Sequence, residues 1–325
     1  MMVKRDNDFM LFGASSTQHV FKGLMLFLSV YIGASLFASI LTPPIFWAVE
    51  WLNANCHNDL WAYLDKKKVD VYYDRLRWLP IIISLPFIFK SCGLFSLKTL
   101  GVGFDKYSRG VFLKFFLLGG FATLFLVALQ AIFLGMGIRE NANFASACFT
   151  SLLGGLILGF LEEIVFRGLI MRCVYSAFGV VSAIVLSSLF FAYKHFKVPS
   201  SVVRNMLPNG GHSAEWDTGF LVCYHDAIGI LSSFEIVQFL SLFFLAAILC
   251  VFYLKTKSLN SAIAFHSATV FVMLFSNKCF YLKDVSKFHL FGAGAITNGI
   301  ACLVVMLLVF AFAVFVMKTS KRSMN

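Results

Sequence analysis

The sequence predicts an all-α, polytopic integral membrane protein of about eight transmembrane helices. Three observations carry this reading. Of 325 residues, 59% are hydrophobic and only 13% are charged, whereas a soluble domain carries roughly 25% charged residues. The mean hydropathy is +0.83 and 39 residues are Phe, more apolar surface than a water-soluble fold of this length can bury. The apolar residues lie in long unbroken runs near the ~20 residues that cross a bilayer as a helix, not in the short alternating segments of a barrel. The same hydrophobicity excludes disorder. With 6 Pro and 8 Cys, collagen-like and disulfide-scaffold chains are excluded too.

The elements follow in order. A first span is read over 20–46, too long for the apolar region of a signal peptide, with Pro43 and Pro44 marking its end. A polar stretch with Lys66, Lys67, Lys68, Asp70, Asp74, Arg75 and Arg77 has the length of a short surface helix. The second span, over 79–95, contains Pro80 and Pro86 and is expected to be kinked or re-entrant. The third covers 111–136, and the fourth, over 144–175, is interrupted by charge. The fifth covers 180–196. A polar loop over 197–233 is expected to be flexible, flanking the cavity and meeting substrate. Its His212, Glu215, Trp216, Asp217, His225 and Asp226 match no metal signature. The last three spans are 234–254, 259–275 and 295–317. The expected organisation is therefore N-terminal spans over 1–144, a core over 145–275, and a last span with the tail over 276–325.

The net charge of +11 does not point to nucleic acid, because Lys and Arg sit between the apolar runs, as loops beside anionic headgroups would have them. Loops sharing a side with the termini carry more Lys and Arg than the opposite loops, which places both termini in the cytoplasm. Cys56, Cys92, Cys148, Cys173, Cys223, Cys250, Cys279 and Cys302 form no CxxC pair. They read as small hydrophobes in helix cores. There is no internal repeat and no inverted pair of broken helices, which weighs against a transporter.

Ionisable residues at membrane depth are costly, ~2.5 kcal/mol or more on insertion scales, and are functional candidates by default. Glu162, Glu163 and Arg167 lie inside GGLILGFLEEIVFRGLIM, His195 closes FFAYKHF, and His266 lies in LNSAIAFHSATVFVML. Glu163 and Arg167 are four apart, acid first, the favourable order for a helical ion pair. Glu162 points ~100° away, so its partner must lie on another helix or in water, and the two histidines are the candidates. A carboxylate facing two imidazoles can activate water and stabilise an oxyanion, or it can hold zinc. Both are hydrolytic arrangements. Gly155 and Gly159 have the small-xxx-small spacing of close helix packing.

The order of these motifs resembles the CAAX protease and bacteriocin-processing (CPBP) family of intramembrane endopeptidases, which includes the type II CAAX prenyl proteases. The resemblance rests on EExxxR at Glu162, Glu163 and Arg167, FxxxH at Phe191 and His195, and YLKTKSLNSAIAFH ending at His266. It implies that Glu162 and His195 activate water, that Glu163, Arg167 and Phe191 support them, and that His266 binds the oxyanion. It implies a peptidase without cofactor, with zinc held by Glu162, His195 and His266 as the alternative. The implied substrate is a membrane-anchored protein or peptide, and the partners are that substrate and the lipid bilayer, not nucleic acid. The family's third motif is often HxxxN, and here Val270 takes the Asn position, with the Thr269 hydroxyl as the candidate replacement donor. The competing readings are a non-enzymatic scaffold or immunity protein that keeps the motif, and a proton-coupled transporter.

Overall fold

The computed structural model describes residues 17–56, 58–91, 100–196, 200–284, 286–292 and 296–322. It is 84% helical. In chain order the helices are α1 Thr17–Cys56, α2 Asp59–Asp65, α3 Val69–Ser91, α4 Lys106–Leu134 and α5 Phe144–Glu163. A π-helical segment, Ile164–Met171, then leads into α6 Arg172–Lys194. The short α7 Ser200–Asn205, α8 Thr218–Ala227 and α9 Gly229–Ser233 follow, then α10 Ile236–Thr256, α11 Leu259–Cys279, α12 Phe288–Phe291 and α13 Ile300–Arg322. Two three-residue strands, β1 Met136–Ile138 and β2 Phe280–Leu282, pair antiparallel.

Among the described residues, five helical stretches are long and apolar enough to cross a membrane: Phe21–Cys56, Lys106–Leu134, Phe144–Lys194, Ile236–Thr256 and Leu259–Cys279. The fold class is thus all-α and polytopic. The 51-residue stretch Phe144–Lys194 is broken where Gly179 adopts φ +82°, ψ −178°, a backbone region essentially reserved for glycine. The break falls between the expected fourth and fifth spans. The polar first turns of α3 keep it out of the five, and 92–95, the end of the expected second span, lies outside the described residues.

Two expectations need correction. Helix α1 does not end at its prolines but continues to Cys56. Its 40 residues are ~60 Å at 1.5 Å each, twice a hydrocarbon core. Pro43 and Pro44 cannot donate to the Ser39 and Ile40 carbonyls, yet the helix runs on through them, and nearby hydroxyls bond back along it: Thr42 Oγ1 donates to Ala38 O at 2.6 Å and Ser39 Oγ to Ser35 O at 2.9 Å. Nor are all the cysteines core residues: Cys173, Cys250, Cys279 and Cys302 are buried, but Cys56 and Cys148 are exposed. Cys92 lies outside the described residues.

The described chain forms two compact units. The larger takes in 94–193 and 235–325. Helix α11 is its centre. Gly119 of α4 lets the Phe265 backbone approach so closely that a Cβ there would stand 2.5 Å from Phe265 O. Gly155 and Gly159 of α5 face Ser267 and Phe271 in the same way, as the small-residue spacing predicts. At the start of α11, Ser258 Oγ and Leu259 N donate to Gly101 O at 3.1 and 2.9 Å, and Asn260 Nδ2 to Gly103 O at 2.7 Å. At its end β2 pairs with β1, just beyond α4. Phe115, Phe252 and Phe265 stack between α4, α10 and α11. Asp105 caps α4, accepting from Ser108 N and Oγ, bonds that hold its carboxyl below the usual range.

The smaller unit takes in 21–93 and 194–234. Here the expected flexible loop is corrected. Residues 200–233 form short helices anchored by charge: Arg204 bonds both oxygens of Asp70 at 2.9 and 3.0 Å, and buried Arg77 bonds Asp226 and Asp74. Trp47 Nε1 donates to Ala214 O at 2.9 Å, and Gly219 packs directly on the Ser39 carbonyl that Pro43 cannot serve. Lys197 lies outside the described residues.

Candidate active site

The site is assembled at the end of α5. Glu162 and Glu163 occupy its last turn and Arg167 the π-helical segment, all eight of whose residues are buried. Phe191 comes from α6 and His266 from mid-α11. Arg167 Nη1 donates to Glu163 Oε1 at 2.8 Å with both side chains sealed from solvent, so the i,i+4 pair expected from the sequence is present. Arg167 Nη2 donates to the Ala246 carbonyl of α10 at 2.9 Å.

His266 Nδ1 is 2.8 Å from the same Glu163 Oε1. Beside a guanidinium that carboxylate acts as the acceptor, so Nδ1 donates to it and the other ring nitrogen is left for different work. Nε2 faces Glu162 Oε2 at 3.9 Å. The two adjacent carboxylates therefore have different surroundings. Glu163 is 0% exposed, between Arg167 and His266, whereas the Glu162 side chain is 26% exposed.

Phe191, fully buried, fills the space between these charges. Its ring lies 4.9 Å from the Arg167 guanidinium and edge-on to the His266 ring at 5.7 Å. Both contacts suit an aromatic quadrupole. Thr269 does not supply a free proton here: its hydroxyl donates to Phe265 O at 3.0 Å within α11, and a hydroxyl has one proton to give. His195 is half-buried at the first residue beyond α6, in the smaller unit. Glu162, Glu163, Arg167, Phe191 and His266 are thus brought together. Among the described residues no group of three or more His, Cys, Asp or Glu is arranged to hold a metal ion.

Two features lie beyond sequence reasoning. The Glu163–His266 bond joins residues 103 positions apart, and the Ala246 carbonyl is a backbone atom that leaves no side-chain signal.

A polytopic helical membrane protein with carboxylates and an imidazole buried together is the class of molecule that these observations define. A family model described as type II CAAX prenyl endopeptidase Rce1-like matches residues 143–272. The matched stretch opens at the α5 cap and closes inside α11, so it contains every residue of the site. The match supports the CPBP/CAAX protease family, a family of hydrolases, for this stretch. No curated protein and no solved structure matches the chain.

Proposed function

We propose that the protein is an intramembrane endopeptidase that hydrolyses a peptide bond in a membrane-anchored protein or peptide, with Glu162 as the base. The observation that carries this is the contrast between neighbours. A base that takes a proton from water must be reachable by water. The Glu162 side chain is 26% exposed, its Oε2 turned inward to His266, and Glu163 is sealed between Arg167 and His266.

In the proposed reaction Glu162 accepts a proton from a water oriented by His195, and the resulting hydroxide adds to the scissile carbonyl carbon. His266, held by Glu163 through Nδ1 and protonated on both ring nitrogens, donates from Nε2 to the oxyanion. The proton on Glu162 then passes to the leaving amine as the C–N bond breaks. Glu163, Arg167 and Phe191 orient the imidazole. The family match supports a CAAX-type substrate, with the bilayer as the second partner, and the excess of Lys and Arg in the loops beside the termini supports a cytoplasmic side for both. No cofactor enters the scheme. The alternative of zinc held by Glu162, His195 and His266 finds no support in the donor geometry, since among the described residues no three such donors are grouped to hold a metal.

Peptidomics of membranes carrying wild type or Glu162→Gln tests this, together with melting curves of the purified proteins. Glu162→Gln is expected to abolish cleavage while melting at or above the wild-type temperature, because it removes a costly, partly desolvated carboxylate. Exhaustive chelation is expected to leave turnover intact. A Glu162→Gln enzyme that still cleaves, beside a folded but inactive Glu163→Gln, would reverse the two assignments. Stoichiometric zinc that restores lost activity would establish the metal alternative.

A further inference from the structure

A cavity of the larger unit is lined by none of the residues of the Glu162–His266 site. It has a volume of about 240 Å³ and is lined by Gln130, Met136, Arg139, Ser276, Asn277, Phe280, Tyr281, Leu282 and Ile296. That is several times the ~30 Å³ that one water occupies in the liquid. Its lining holds one guanidinium and amide, hydroxyl and phenol groups, but no carboxylate. The cavity of the smaller unit differs in this respect: Arg75, Arg77 and Arg204 face Asp70, Asp74 and Asp226 there, and the charges cancel.

Arg139 is held in place. Its Nε donates to the carbonyls of Asn277 and Phe280 at 3.1 and 3.0 Å, and its backbone N to Cys279 O at 2.9 Å. Among the described residues neither of its Nη nitrogens makes a hydrogen bond, so the planar end of an anchored guanidinium is left for a ligand. Gln130 is likewise fixed, donating through Nε2 to Phe291 O and Gly292 O at 2.9 Å. Its amide oxygen remains as an acceptor for a hydroxyl.

The level of the cavity identifies the ligand. Two candidate spans end here, at Leu134 and Cys279, and another stretch begins at Phe144. Phe144, Phe275 and Phe280 cluster beside it with ring centroids 6.0–6.4 Å apart, and Tyr281 is exposed. An exposed tyrosine and a basic residue at the ends of spans mark the headgroup layer. Arg pairs with phosphate, which every phospholipid headgroup carries, through parallel N–H bonds.

We infer that this cavity binds the phosphate group of a phospholipid headgroup, with Arg139 as its anion ligand. The test uses delipidated full-length protein in detergent. Phosphatidylglycerol, phosphatidylcholine or inorganic phosphate is added, and melting temperature and lipid retained in native mass spectra are read. Phosphatidylglycerol is expected to raise the melting temperature and remain bound, and inorganic phosphate at the same concentration is expected to do neither. Arg139→Gln, compared with its own lipid-free melting curve, is expected to lose at least ten-fold in phosphatidylglycerol affinity, and Arg139→Lys to keep part of it. Should Arg139→Gln be too unstable to purify, the Arg139→Lys loss alone decides. Equal lipid binding by wild type and both variants overturns the inference. So does inorganic phosphate reproducing the whole effect, which would make the site one for a soluble ion.

Discussion

One carboxylate oxygen holds the site together. Glu163 Oε1 accepts from both Arg167 and His266, so each loss has a separate consequence. Removing one partner of a buried pair leaves an uncompensated charge and costs about 3–5 kcal/mol. Glu163→Gln and Arg167→Met are each expected to lower the detergent melting temperature accordingly. The double variant should regain much of that stability, since no charge is left unpaired. It should not regain turnover, because His266 has lost the group that fixes its ring. Melting and cleavage measured on the two single variants and the double separate the roles, and a double variant with restored turnover would show that Glu163 does not orient His266. The Glu163–Arg167 half of this was legible in the sequence because helical spacing fixes an i,i+4 contact locally. The His266 half was not. A single sequence places Glu162 toward a histidine but does not show that the same imidazole also bonds Glu163 from the opposite side. Thr269 reads as a spare donor in the sequence, and its bond to Phe265 O is an ordinary helical alternative that the pattern leaves open.

Helices meet here through small residues, and that is testable at two glycines, one on α5 and one on α4, that both face α11. At Gly159 a Cβ would stand 2.9 Å from Ser267 N, against backbone that cannot move away, whereas at Gly120 its nearest neighbour is the Ala268 Cβ at 4.0 Å. Gly159→Ala is expected to be destabilising by about 1–3 kcal/mol through overpacking. It should also reduce turnover, since the displaced helix carries His266. Gly120→Ala is expected to be neutral or stabilising, by up to ~1 kcal/mol of helix propensity. If the two melt alike, the close approach of α5 to α11 is not a tight constraint. The small-xxx-small pair and the helical class were readable because spacing and composition act locally. The π-helical segment was not, since its buried apolar residues would suit an α-helix equally. The prolines of α1 misled for a related reason: Pro43 and Pro44 each remove one donor, but the turns on either side keep theirs and the helix continues to Cys56.

The division of the whole molecule was the least visible from sequence. Contiguous blocks at 1–144, 145–275 and 276–325 follow motifs along the chain, whereas the two compact units each draw on separated stretches. Only contacts distant in sequence, such as Arg204 with Asp70 or Trp47 with Ala214, define them. This partition also sorts the chain's chromophores. All five tryptophans, Trp47, Trp51, Trp61, Trp78 and Trp216, fall in 21–93 and 194–234, and Trp47 and Trp216 stack edge to face at 4.6 Å. Tryptophan emission, excited selectively over tyrosine, therefore watches only the smaller unit, while far-ultraviolet dichroism sums the helices of both. In denaturant titrations, Glu163→Gln is expected to move the dichroism midpoint and leave the emission midpoint in place. An emission midpoint that follows it by the same amount would mean that the two units melt as one.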